Sequence, residues 1–540
     1  MTSRTLIATH AAILTFTSCA ACSTPAPATS CETDVQCGAS AYCDPVRHFC
    51  VWSGDAAVAV DDATRLDTAI ADALRDAAVV DVRHDTGPVD GSHDAAGLDA
   101  AVVDGSDAAR GDANVDSGTR FVPDLIAVGR YHVCAGKRGG GVKCWGDNFT
   151  GQLGYGDTID RGSGAGEMGS DLPVVDLGSG RTVEALAVGG DHTCAMLTSN
   201  EVICWGANGS GQLGVGDTRD RGDDVGEMGD ALPTVALGSQ QIATLAAGEY
   251  FNCVLFEGGQ VACWGKNEFG QLGVGDTLPR GDGPGELGDT LARAQLGASF
   301  FVNQLTVGPF HACALSTEQT VKCWGDNRYG QLGLGDIVDR GASAASIGAN
   351  LPLVSLPALF GTVLVQVAAG EDHTCARWAD SAVRCWGDNY HGQLGVGDTV
   401  ARGGGPYEMG DALPATSLGS SIERLTIGEH ATCARYLDGS VRCWGYNAYG
   451  QLGYGDNHNR GNDLDEMVPT LPLVALGASD ATCTMLHTYD HTNCALLAGG
   501  KVKCWGYNDQ GQLGLGDIDD RGDAPGEMGA QLPPIDLGYE

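Results

Sequence analysis

Fourteen cysteines of this chain stand in pairs ten residues apart: Cys134 with Cys144, Cys194 with Cys204, Cys253 with Cys263, Cys313 with Cys323, Cys375 with Cys385, Cys433 with Cys443, and Cys494 with Cys504. A thiol pair can form a disulfide or hold a metal. Between the partners lies a turn such as "TSN" or "LDGS". If two strands fold back about that midpoint, the cysteines face each other with Cβ atoms about 4.5–5.5 Å apart, close to disulfide range. Tetrahedral zinc needs more ligands than one pair supplies. Seven disulfides are therefore expected, each contributing roughly 2–3 kcal/mol by the chain-entropy account. No metal ligand set and no cofactor is expected.

Other repeated residues accompany the pairs. Every second cysteine opens the tripeptide Cys-Trp-Gly, and successive copies are separated by 60, 59, 60, 62, 58 and 61 residues. Trp145, Trp205, Trp264, Trp324, Trp386, Trp444 and Trp505 are large apolar anchors, expected at contacts between units. Each unit then carries Asp-x-x-x-Arg-Gly, as in Asp157 and Arg161 or Asp398 and Arg402. A carboxylate and a guanidinium four apart can close a loop. Catalysis would need one special copy, not seven alike. His132, His192, His311 and His373 precede the first cysteine by two residues, where the other units have Phe251, Ala431 and Thr492. Equivalent positions on separate units lie too far apart to share a metal, so these histidines read as packed and hydrogen-bonded.

The elements that must hold these residues are short and extended. In the second unit they are "VEALAVG", "HTCAML", "EVICWG" and "LPTVALG". β-Branched and apolar residues alternate with small ones, and Gly, Asn and Asp fill the gaps. Four strands per unit and seven units describe an all-β fold, a seven-bladed β-propeller of four-stranded blades over residues 120–540.

The rest of the chain reads differently. Arg4 followed by the mostly apolar stretch Leu6–Phe16 resembles an export signal, too short to span a bilayer. "TSCAACS" follows, which makes Cys22 the expected lipidation site and Cys19 its alternative, with residues 1–22 as the signal. Ser23 after Cys22 points to the outer membrane rather than inner-membrane retention. Residues 31–50 hold Cys31, Cys37, Cys43 and Cys50, a small module with two disulfides of open connectivity. Residues 53–119 contain 15 Asp, 4 Arg and no Glu, a net of −11. Such a segment reads as a disordered, extended linker.

Charge narrows the partners. The chain carries −38 overall, and residues 120–540 hold 25 basic against 51 acidic residues. That argues against nucleic acid and leaves membrane contact to the N-terminal lipid anchor.

"GGDHTCAML", "EVICWGANGSGQLGVGD" and "LP.V.LG" together resemble the repeats of the regulator of chromosome condensation family. The resemblance recurs seven times and implies a propeller whose ends meet, "DLIAVG" near residue 125 beside "LPPIDLG" near residue 535. Founding members exchange nucleotide on a nuclear GTPase and bind chromatin; the acidic, exported character here argues against both, and an exchange-factor-like regulator is the alternative by family analogy that a mature chain retained in the cytoplasm would revive. A secreted bacterial relative of this fold type binds a protein through one face. The expected function is an exported or surface-anchored, non-enzymatic binding protein for a protein or glycan. Its candidate face is Phe149, Phe269, Tyr329, Tyr390, His391 and Tyr449, just before GQLG; the alternative is that they fill gaps between blades. A secreted polysaccharide hydrolase or lyase would instead require a unique carboxylate pair at the channel mouth.

Overall fold

The computed structural model describes residues 121–359, 361–477 and 482–538, together with the short strands 41–43 and 50–52. The chain divides into two units, residues 1–108 and 109–540. In the first, Ala41–Cys43 and Cys50–Trp52 pair antiparallel, with Cys43 in register with Cys50. The signal, Cys19, Cys22, Cys31, Cys37 and the 53–119 linker lie outside the described residues.

The second unit is all-β: seven three-stranded antiparallel sheets, each built from consecutive strands. Blade 2 is representative, with inner strand Val183–Val188, middle strand His192–Leu197 and outer strand Val202–Gly206. The inner strands of blades 1 and 3 to 7 are Leu125–Val128, Ile242–Ala247, Val302–Val307, Leu364–Ala369, Ile422–Ile427 and Cys483–Tyr489. The expected fourth strand is reduced. In every blade its segment makes one backbone bond to the outer strand, such as Val175 N to Val142 O at 2.8 Å or Ile535 N to Val502 O at 2.8 Å. Six of the seven segments have a proline two residues before that contact, and proline has no N–H to extend a ladder.

All seven cysteine pairs are disulfides across the middle and outer strands, with Cα atoms 4.0–4.1 Å apart. The register places each partner directly opposite the other, as Cys194 is to Cys204. Cys483 is a buried free thiol on the innermost strand of blade 7, and burial pushes it up to about 12.

The core sits between blades. Each hydrophobic cluster joins two neighbours, as Cys134, Leu153 and Val142 of blade 1 join Trp205 and Ile203 of blade 2. In the last cluster Ile126, Val128 and Trp145 meet Leu496, Val502, Ile535 and Leu537, so the ends of the array close the ring. The tryptophans link the blades. Each indole N–H donates to the carbonyl of the GQLG glutamine one blade back: Trp205 to Gln152 at 3.0 Å, Trp386 to Gln331 at 2.9 Å, and Trp145 to Gln512 at 2.9 Å across the seam.

Candidate functional site

The repeated polar residues are explained by the scaffold. All seven Asp-x-x-x-Arg pairs are closed, with Nη2–Oδ2 distances of 2.6–2.8 Å. His132, His192, His311 and His373 are fully buried. Each points its Nε2 at the next blade: His132 at Thr193, His192 at Asn252, His311 at Thr374 and His373 at Thr432, at 2.8–3.1 Å. The Thr193 hydroxyl itself donates to Gln152 O at 3.0 Å, so His132 is the donor to Thr193. Burial holds His132 and His373 down at about 3, and they stay neutral. In the fourth unit Ser346 replaces the glutamate that elsewhere accepts from two backbone N–H groups, and it keeps the bond to Gly341 N at 3.2 Å.

What varies gathers at one end of the ring. A cavity of about 650 Å³ is lined by the inner strands of all seven blades. The first turn after each inner strand puts one residue at its rim. Read from blade 1 to blade 7, that position holds Arg130, Gly190, Glu249, Pro309, Glu371, Glu429 and Asp490. Four carboxylates thus stand with one guanidinium. Arg130 Nη1 lies 3.3 Å from Glu249 Oε1, and its Nε lies 3.8 Å from Asp490 Oδ2. Tyr489 donates to Glu249 Oε2 at 2.8 Å. His491 bridges two acids, Nε2 being 3.4 Å from Glu429 Oε2 and Nδ1 3.3 Å from Asp490 Oδ1. His430 Nε2 is 3.3 Å from the other oxygen of Glu429.

This crowding sets the electrostatics. Burial, then the hydrogen-bonded Asp490 carboxyl, pushes Glu429 up to about 10. Burial and the neighbouring Glu429 raise Glu371 well above the usual carboxylate range. Burial, then Asp326, pushes Asp372 up to about 7. The folded protein therefore holds the Asp372 proton more tightly than the unfolded chain, and this residue's contribution to stability falls as pH rises from about 4 to about 7. Asp372→Asn is expected to match the parent at pH 4 and exceed it at pH 8 by on the order of 2–4 kcal/mol. Urea denaturation of both proteins at the two pH values measures it; a difference independent of pH would contradict the buried charge.

The six candidate aromatic residues occupy two different positions of the repeat. Phe269, Tyr329, His391 and Tyr449 occupy the position before Gly-Gln-Leu-Gly, and their N–H groups bond the glutamine side chain, as Tyr449 N does to Gln451 Oε1 at 3.0 Å. Phe149 and Tyr390 stand one residue earlier and are 65% and 68% exposed. Phe269 pairs with Phe310 at 5.9 Å, under the Arg328 guanidinium at 5.4 Å. Tyr329 is half-buried in blade 4. Tyr390, His391 and Tyr449 belong to a continuous arc with residues not selected from sequence. Ring centroids run from Tyr390 to His391 (4.9 Å), His391 to Tyr446 (4.4 Å), Tyr446 to Tyr449 (6.1 Å), Tyr449 to Tyr507 (4.9 Å) and Tyr507 to Tyr131 (6.1 Å). Tyr449 also stacks on His491 at 5.0 Å, which joins the arc to the acidic rim. The sequence signal for this arc lies at the variable position after Cys-Trp-Gly (Tyr446, Tyr507) and in the pair after each inner strand.

Comparison with known proteins places the chain. Residues 105–400 match the RCC1-like domain, and residues 422–451, 438–480 and 488–512 match the RCC1 repeat. The chain is 30% identical over 400 residues to the ultraviolet-B receptor UVR8 of Arabidopsis thaliana, covering 74% of this chain and 80% of that protein. It is 30% identical over 302 residues to the human probable E3 ubiquitin-protein ligase HERC6, but spans 26% of that longer protein. The crystal structure of Prp20p from Saccharomyces cerevisiae aligns over 74% of this chain and 85% of its own, with TM-score 0.51 and 20% identity. Human WBSCR16 aligns over 68% and 84%, with TM-score 0.50 and 17% identity. With more than half of its length matched to the domain and four fifths of UVR8 covered, this chain belongs to the regulator of chromosome condensation (RCC1) repeat family.

Proposed function

We propose that this chain is an exported or surface-anchored, non-enzymatic binding protein that recognises a protein or glycan at the rim face of its propeller. The observation that carries this reading is the aromatic and histidine arc from Tyr390 to Tyr131, which spans blades 5, 6, 7 and 1 beside the cavity. Aromatic rings supply contact area at low entropic cost and stack on sugars and side chains alike. Buried disulfides in every blade support an oxidising compartment. Prp20p, of the same fold, has been studied for binding to Gsp1p and histones. The acidic surface favours other partners here, and neither chromatin nor a nuclear GTPase is proposed.

The rim does contain the unique acid pair that a polysaccharide hydrolase would need. Glu429 and Asp490 are hydrogen-bonded to each other. Glycosidase carboxyls stand about 5–5.5 Å or about 6.5–9.5 Å apart, so that a sugar carbon fits between them. The contact between these two favours binding over hydrolysis.

The test is a binding screen of the oxidised full chain against glycan and secreted-protein panels, beside the triple variant Tyr390→Ala/Tyr446→Ala/Tyr449→Ala. A partner whose affinity drops about a hundredfold in the variant at unchanged melting temperature is the expected result. Equal binding by both proteins would move recognition off this face.

A further inference from the structure

We propose that Glu429, Asp490 and His491 bind a divalent transition-metal ion of the zinc class at the rim of the cavity. One donor atom from each of the three lies within 4.8 Å of the other two. Tetrahedral ligands about 2.0–2.2 Å from an ion are separated by about 3.4 Å. His491 Nε2 and Glu429 Oε2 already stand 3.4 Å apart. Small side-chain shifts bring the Asp490 carboxylate to the same centre. His430, whose Nε2 lies 3.3 Å from Glu429 Oε1, is the nearest further imidazole. A mixed imidazole and carboxylate set suits zinc and its neighbours, where magnesium and calcium prefer oxygen alone.

Two independent features point to a cation. The first is an unsatisfied acceptor. The Asp490 side chain is 11% exposed, and its buried Oδ1 meets no N–H donor in hydrogen-bond geometry, His491 Nδ1 standing 3.3 Å away, while the carboxyl itself is in contact with that of Glu429, whose proton a metal ion would replace. A buried carboxylate oxygen without a donor is costly unless something positive meets it. The second is the crowding of the rim, where Glu249, Glu371, Glu429 and Asp490 stand together and, among the described residues, Arg130 is the guanidinium paired with two of them. A divalent ion bound in place of the carboxyl proton between Glu429 and Asp490 would relieve their repulsion.

The scaffold does not require this set. At the same two turn positions the other blades carry Arg130-Tyr131, Gly190-Asp191, Glu249-Tyr250, Pro309-Phe310 and Glu371-Asp372. Only blades 6 and 7 carry an acid followed by a histidine. Their neighbouring positions in the ring bring the two pairs together, with the rings of His430 and His491 6.4 Å apart. Three ligands leave a coordination position for water or for a donor from a bound partner. The site stands whether or not the aromatic arc recognises that partner.

The experiment is zinc titration by calorimetry on the tag-free, oxidised, chelator-treated full chain. Glu429→Gln, Asp490→Asn and His491→Gln are compared with His458→Ala, an exposed histidine beside Asp456 outside the cluster. One site of micromolar or tighter affinity is expected in the parent and in His458→Ala, weakened at least about tenfold in each of the three others. Zinc is also expected to raise the melting temperature of the parent by mass action but not that of Glu429→Gln, each measured against its own chelated baseline. If a variant does not fold, the cobalt spectrum of the parent decides. Visible bands of a low-coordinate nitrogen and oxygen site support the assignment, and the weak spectrum of the hydrated ion overturns it. Binding weaker than about 100 µM, or equal in all variants, also overturns it.

Discussion

Refolded with its cysteines reduced, the chain is expected not to reach the native propeller, whereas the oxidised chain refolds. Each disulfide closes a ten-residue separation between the middle and outer strands of one blade. The chain-entropy account gives about 2–3 kcal/mol for such a loop, and seven of them together exceed the ~5–15 kcal/mol of net stability typical of a folded protein. The blades have little else to replace them, because each is three strands deep with one further backbone bond at its edge. All fourteen sulfurs belong to fully buried residues. Reductant added to the folded protein therefore finds none of these fourteen sulfurs exposed, and the effect on the propeller appears only when reduction and unfolding are combined. Tryptophan fluorescence and circular dichroism during dilution from denaturant, with and without reductant, read the result. A reduced chain that regains the native signal with an unchanged denaturation midpoint would show that packing between blades suffices. One pair removed, Cys375→Ala with Cys385→Ala, is expected to cost about 2–3 kcal/mol and to leave the fold intact.

The features legible in the sequence were those written seven times. The cysteine spacing fixed a hairpin register because residues ten apart about a short turn must oppose each other. The Trp after each second cysteine and the Asp-x-x-x-Arg pair were readable as scaffold for the same reason, since no ligand needs seven copies of one contact. The outer edge was less legible. "LPTVALG" has the apolar alternation of a strand, but Pro233 cannot donate, and the segment meets its neighbour in a single bridge, Thr234 opposite Ile203, with Val235 N bonded to Val202 O, before leaving it. The rim was hardest to see. Arg130, Glu249, Glu371, Glu429 and Asp490 each follow an inner strand and look like ordinary turn residues. They are some 60 residues apart or more, and only closure of the ring turns seven isolated turns into one opening. The aromatic residues before GQLG fall at two positions that look alike in the sequence. Phe149 and Tyr390 lie one residue too early, and a shift of one residue there separates an exposed side chain from one directed at the neighbouring blade.

The seam of the ring is where a single tryptophan should matter most. Trp145 is fully buried and its indole N–H donates to Gln512 O, 367 positions away along the chain. Trp145→Ala removes that bond and the largest side chain of the cluster joining Ile126 and Val128 to Ile535 and Leu537, and is expected to cost about 3–5 kcal/mol. Trp145→Phe separates the bond from the packing. In blade 2 the Gln152 carbonyl accepts from both Trp205 and the Thr193 hydroxyl. At the seam the position equivalent to Thr193 is Val133, which has no donor. Loss of the indole N–H therefore leaves the Gln512 carbonyl without a side-chain donor in a buried place. Trp145→Phe is expected to lose about 1–3 kcal/mol from that unsatisfied group, and Trp205→Phe about 0.5–1.5 kcal/mol because Thr193 still donates. Denaturant midpoints of the two variants measure the difference, and adding Val133→Thr to Trp145→Phe should recover part of it. Equal losses in the two phenylalanine variants would mean that the seam is held by its hydrophobic cluster and not by this hydrogen bond.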